Sequence, residues 1–205
     1  EDDCKNWVDS DHYYYIKNKL ATYLIGPEDT SDFIAPGSII DAVPSFNGFE
    51  NLYRTEFIIT NSVNGRWFNP KGTPSQKMLR LDDISVDESS ATITARGYWD
   101  QNKNNSKDLN VSVNYSMVEN SPLLKMDITI KNDGRNSYKG YFGYAFDKEG
   151  SDEEFTYIPG LGWYPYSRSN EHITSGWNGN YLFSGRETGY SGKTAHAIIW
   201  PEDQQ

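Results

Sequence analysis

Between positions 160 and 180 the chain interleaves Trp163, Tyr164, Tyr166, Arg168, Glu171, His172, Trp177 and Asn178 with glycine, proline and serine. Flat aromatic rings cover the apolar C–H faces of pyranose sugars, while guanidinium, carboxylate, imidazole and amide groups satisfy sugar hydroxyls. Carried on loops, this mixture suits a glycan-binding groove. The competing reading makes Trp163 and Trp177 packing residues that seal one end of a sandwich, the commoner fate of aromatics near loop ends. A second cluster, Arg66, Trp67, Phe68 and Asn69, follows the turn residues Asn64 and Gly65 and reads as an ordinary loop with one exposed aromatic.

Acid/base chemistry would need His12, His172 or His196 beside a carboxylate such as Glu171, Glu187 or Glu202, both within hydrogen-bond reach of one substrate atom. His196 sits in the alternating stretch Ala195, His196, Ala197, Ile198, Ile199, where a structural histidine is the simpler reading. Glu171 and His172 are sequence neighbours, which on a strand point to opposite faces. No catalytic residue is assigned. Asp147, Glu149, Asp152, Glu153 and Glu154 surround Gly150, but their spacing is not that of an EF-hand, and a solvated acidic loop is expected. Asp82, Asp83, Asp87 and Glu88 invite the same reading. A serine nucleophile elbow, a phosphate loop, zinc-type Cys/His spacing and HExxH are absent from the sequence, and no cofactor or metal is expected. Asn104, Asn110 and Asn114 each open an Asn-x-Ser sequon, and the last two fall on the polar side of a strand, open to glycosylation where the host performs it.

The bulk composition narrows the partners. With 19 basic against 29 acidic residues, the net charge of -10 repels nucleic acid and anionic membrane surfaces, and no basic patch offsets it. Mean hydropathy is -0.75 and no apolar run approaches the roughly 18 residues of a membrane span, so membrane insertion is not expected. Cys4 is the single cysteine and allows no intrachain disulfide, which leans weakly toward the cytosol. Against that, the chain starts at Glu1 without methionine, as a mature exported chain would, and its richness in Asn, Ser, Thr, Tyr and Trp suits an extracellular or cell-surface setting.

Strands must position these residues. Leu109, Val111, Val113, Tyr115 and Met117 alternate with Asn110, Ser112, Asn114 and Ser116. After a turn at 119–122, Leu124, Met126, Ile128 and Ile130 alternate with Lys125, Asp127, Thr129 and Lys131. This is an antiparallel hairpin. Turn chemistry at 132–136 leads to a third strand through Tyr138, Tyr141, Phe142, Tyr144 and Phe146. Upstream, Ala91, Ile93 and Ala95 mark another strand, and 52–60 and 77–86 two more. Segments 13–16 and 20–25 flank Lys17, Asn18 and Lys19 and read as a hairpin in preference to a helix over 11–24, because aromatic and β-branched residues dominate. In the tail, short strands are expected at 181–183 and 194–200, with 163–178 on loops. The fold class is therefore all-β, an antiparallel β-sandwich, with a supersandwich bearing a concave sheet as its larger variant. A single domain over 1–205 is expected, and the ending at 201–205 straight after an apolar strand reads as a module joined to other domains of a longer chain.

Three stretches resemble the galactose-mutarotase-like supersandwich of sugar epimerases and polysaccharide-processing enzymes. In 14–41 an opening strand reaches Asn18, Lys19 and Leu20, a second strand follows, and Gly37, Ser38, Ile39, Ile40 and Asp41 stand where that family has a short strand after glycine. Residues 121–132, SPLLKMDITIKN, are similar to its long alternating central strand, and 157–166 to a Gly-aromatic segment. The resemblance implies a sugar-facing sheet. The chain is short for that family, and the family's catalytic His and Glu have no counterparts placed here. Together these readings favour an exported or cell-surface domain that binds carbohydrate, as part of a glycan-processing protein. The alternatives are an adhesive surface domain without a small-molecule site and a sugar-active enzyme with a His/carboxylate pair.

Overall fold

The computed structural model describes residues 13–26, 37–45, 52–60, 79–100, 106–138, 141–148, 154–160, 162–165, 179, 181–186 and 194–200. Every regular element among them is a strand, and all the strand pairs are antiparallel, as short turns between alternating strands favour. Among the described residues no helix is long and apolar enough to cross a membrane. The chain divides into two compact units, Glu1–Lys148 and Glu149–Gln205.

The first unit is layered. One sheet has the order β1-β2-β3, from β1 (Tyr14–Lys17), β2 (Ala21–Ile25) and β3 (Ile39–Pro44). With β4 (Leu52–Thr60) following in sequence, β5 (Leu79–Asp87), β6 (Thr92–Trp99), β7 (Leu109–Met117) and β8 (Leu124–Lys131) form a four-stranded meander in chain order. β9 (Tyr141–Lys148) pairs with β4. The two larger sheets are expected to face each other because each presents one apolar row, and β1 does touch β6 and β7. Ile16, Ile25 and Ile39 come from the first sheet. Leu81, Ile84, Ile93, Ala95, Trp99, Val111, Val113 and Tyr115 come from the meander and join them in one buried cluster.

Polar contacts lock the layers. Asn18 ends β1 and closes its own turn by accepting from the N–H groups of Leu20 (2.8 Å) and Ala21 (3.1 Å) at Oδ1. Its Nδ2 donates across to the β7–β8 turn, to the carbonyls of Ser121 (2.8 Å) and Val118 (3.3 Å). The Tyr23 hydroxyl donates to the Pro122 carbonyl in the same turn, and burial pushes that phenol above its ordinary pKa. Gly37 leads into β3 with φ +75°, and a Cβ there would lie 2.8 Å from the Cβ atoms of both Ala95 and Leu81, so only glycine lets the backbone pass this close to the meander. Its carbonyl accepts a 2.6 Å hydrogen bond from the buried Tyr115 hydroxyl. At the far end the rings of Tyr138 and Trp99 meet at right angles, 5.9 Å between centroids, and the Tyr138 hydroxyl donates to Asp108.

One part of the alternating pattern departs from expectation. Leu124, Met126, Ile128 and Ile130 lie opposite Met117, Tyr115, Val113 and Val111 and so share the core-facing row. Val113 and Val111 are buried, whereas Ile128 and Ile130 are each 37% exposed. The hairpin of β1 and β2 is anchored over the β7–β8 turn, so cover is best at that end of β8 and fails toward Lys131.

In the second unit, β10 (Glu154–Ile158), β11 (Gly162–Pro165), β12 (Tyr181–Arg186) and β13 (Thr194–Ile199) form a sheet of order β11-β10-β12-β13.

Candidate functional site: an aromatic sheet face

Trp163 and Tyr164 lie on a strand, β11, and not on a loop as their glycine-rich surroundings suggested. The reason is local. Gly160 (φ +86°) and Gly162 (φ +91°) take up left-handed backbone that other residues resist, so the chain reverses between Ile158 and Gly162, which pair directly. The returning aromatics then pair with β10, a conformation their bulk favours.

Register builds the site. Tyr157 on β10 lies opposite Trp163 on β11, and on its other side opposite Phe183 on β12. Phe183 in turn lies opposite Ala197, and Tyr181 opposite Ile199, on β13. Directly opposed residues, and residues two apart on a strand, share a face, so Trp163, Tyr157, Tyr181, Ala197 and Ile199 all point to one side of this sheet. The Tyr157 ring lies 5.0 Å from that of Trp163, tilted by 57°, and 6.3 Å from that of Tyr181, with the two planes within 19° of parallel. Three rings thus run across three adjacent strands.

This face is open to solvent. Trp163 is 62% exposed, Ile199 is also 62% exposed, Tyr181 38%, and Tyr157 is half-buried between the outer two rings. The arrangement offers broad apolar area edged by two phenol hydroxyls and an indole N–H. It can stack against a flat, partly apolar ligand and hydrogen-bond its rim. These five side chains include no carboxylate or imidazole.

Of the remaining residues predicted for the site, Tyr164 is opposite Thr156 on β10, while Tyr166, Arg168, Glu171, His172, Trp177 and Asn178 lie outside the described residues. Tyr157, Tyr181 and Ile199 were not among the predicted site residues. Their signal was present in the aromatic and β-branched content of the short tail strands, but which of them share a face depends on register. His196 is on β13 opposite Ser184; His12, Glu171, Glu187 and Glu202 also lie outside the described residues, as do Arg66, Trp67, Phe68 and Asn69. Of the acidic cluster expected on a loop, Asp147 is on β9 and Glu154 on β10, while Glu149, Asp152 and Glu153 lie outside the described residues. Among the described residues no group of three or more His, Cys, Asp or Glu side chains is placed to hold a metal ion.

The structure separates the sequons. Asn110 is exposed on β7 and donates to Asp133 at 2.8 Å, whereas Asn114 is half-buried and accepts from the Thr94 hydroxyl at 2.9 Å. Asn104 lies outside the described residues. Set against known proteins, the chain matches no family model, no curated protein and no solved structure.

Proposed function

We propose that this chain is an exported or cell-surface β-sandwich protein that binds carbohydrate through the face bearing Trp163, Tyr157 and Tyr181. The observation that carries this reading is the row of three rings on adjacent strands, with Trp163 mostly exposed and the two tyrosines nearly parallel. Flat rings in sequence along a sheet match successive sugar rings of an oligosaccharide, each presenting a C–H face to stack and hydroxyls at its rim. The acidic balance of the chain disfavours strongly anionic glycans and points to neutral ones. The proposal stands on this face and not on the galactose-mutarotase-like resemblance.

Binding to an array of neutral oligosaccharides, followed by titration calorimetry on a hit, tests the site. Trp163→Ala and Tyr181→Ala are each expected to weaken binding about tenfold, equivalent to about 1.4 kcal/mol, with the circular dichroism spectrum unchanged. Binding that survives both substitutions, or a wild-type chain that binds no neutral glycan, overturns the assignment. One observation favours an adhesive reading instead: Ile199, as exposed as Trp163, adds apolar area that cannot hydrogen-bond a sugar. Glycan binding lost in Tyr181→Ala but untouched in Ile199→Ser would set that reading aside.

A further inference from the structure

β8 is the last strand of the meander, and among the described residues it pairs on one side only, with β7. An edge strand presents a row of backbone donors and acceptors that another strand can take up. Its core-facing row adds a second incentive, because Ile128 and Ile130 are 37% exposed beside buried register partners on β7. We infer that β8 is a self-pairing edge, to which a second copy of this chain adds antiparallel about a two-fold axis at Thr129.

The choice of occupant comes from charge. Lysines on an edge normally discourage pairing with a neutral strand, and β8 carries Lys125 and Lys131. With the axis at Thr129, each Lys131 lies opposite the other copy's Asp127, and each Lys125 lies opposite Asp133, just beyond the strand. Ile128 then lies opposite Ile130 in both halves, bringing four isoleucines into one strip on the core side. Opposite residues must share a face, so few neighbouring registers are open. An axis at Ile128 sets Lys125 against Lys131, and an axis at Ile130 sets Asp127 against Asp133, like charges in each case. An axis at Asp127 opposes that carboxylate to itself. A partner carrying this same pattern of charges satisfies the strand, and the chain itself is one. Lys125 and Asp127 are exposed and already bridged within the strand at 2.8 Å, so both heads stand at the surface where a second copy would meet them.

One shared strand edge is a small interface, and association in the micromolar to millimolar range is expected. Sedimentation equilibrium of the whole chain should show its mass rising with concentration toward a dimer. Asp127→Lys, which opposes two lysine pairs, should weaken dimerisation at least tenfold, and the double exchange of Asp127→Lys with Lys131→Asp should restore it. These side chains are exposed, and circular dichroism checks that each variant is folded. In a chain whose native Cys4 is replaced by serine, Thr129→Cys should form an intermolecular disulfide under mild oxidation. The proposal is overturned by a wild-type chain that stays monomeric at its highest attainable concentration, by a dimer indifferent to Asp127→Lys, by failure of the double exchange to rescue, or by failure of the cysteine pair to cross-link.

Discussion

Trp99 and Trp163 sit on strands of two four-stranded antiparallel sheets, and their environments are opposite. Trp99 closes β6 in the meander and has no exposed surface, held under Tyr138 with the three-stranded sheet completing the core around it. Trp163 opens outward from β11 with most of its ring in solvent, touching Tyr157. Both sheets are built by the same means: short turns, aromatic and β-branched residues, and direct antiparallel register. They differ in whether the aromatic residue loses its exposure to solvent: Trp99 does, and Trp163 keeps 62% of its surface exposed. Where exposure is lost, an aromatic residue contributes to stability. Where it is kept, the same residue type leaves apolar area available to a ligand.

The sharpest way to break this contrast is to truncate both rings. Trp99→Ala should cost about 3–5 kcal/mol, because it empties a fully packed site. Trp163→Ala should change stability by less than about 0.5 kcal/mol, as exposed substitutions do. Urea denaturation of the two variants checks it, and comparable losses in both would mean the aromatic face of the second unit is a core after all.

Asn18→Ala probes what keeps the first unit's layers in place. It removes two bonds that shape the β1–β2 turn and two that tie it to the β7–β8 turn, and should lower stability by about 2 kcal/mol. A denaturation midpoint unchanged from wild type would show that packing alone aligns the layers.

The smallest effect lies at the turn after β5. The Ser89 hydroxyl, then the Ser90 hydroxyl and the Ser89 N–H, hold the exposed Asp87 carboxyl below its ordinary pKa of 3.8. A carboxyl whose folded pKa is depressed stabilises the fold above its unfolded value, and that contribution disappears as pH falls through the folded value. Wild type should therefore lose a small increment of stability relative to Asp87→Asn as the pH is lowered from about 5 to about 2. Parallel denaturation profiles for the two proteins across that range would show that the serine contacts add nothing. Because the group is fully exposed, solvent screens the effect.

Much of the first unit was legible in the sequence. Strict alternation from Leu109 and again from Leu124 marked β7 and β8, and the residues around Asn18 marked the first hairpin, because period two has one structural meaning when turn residues bound it. The second unit was harder to read. Gly160 and Gly162 looked like loop residues, yet their positive φ makes a tight reversal that returns Trp163 onto a strand. The platform itself joins positions 157, 163, 181 and 199, whose alignment depends on register between strands and on no local spacing.

The sequence by itself determined that this protein is built from antiparallel strands, which side chains of β7 and β8 share a face, and that its surface is acidic, because these follow from local alternation and charge. Tertiary structure alone decided which apolar faces are covered. Covering is a relation between layers distant in sequence, and so Ile128 and Ile130 end up half open beside buried valines, and Trp163 exposed where Trp99 is not.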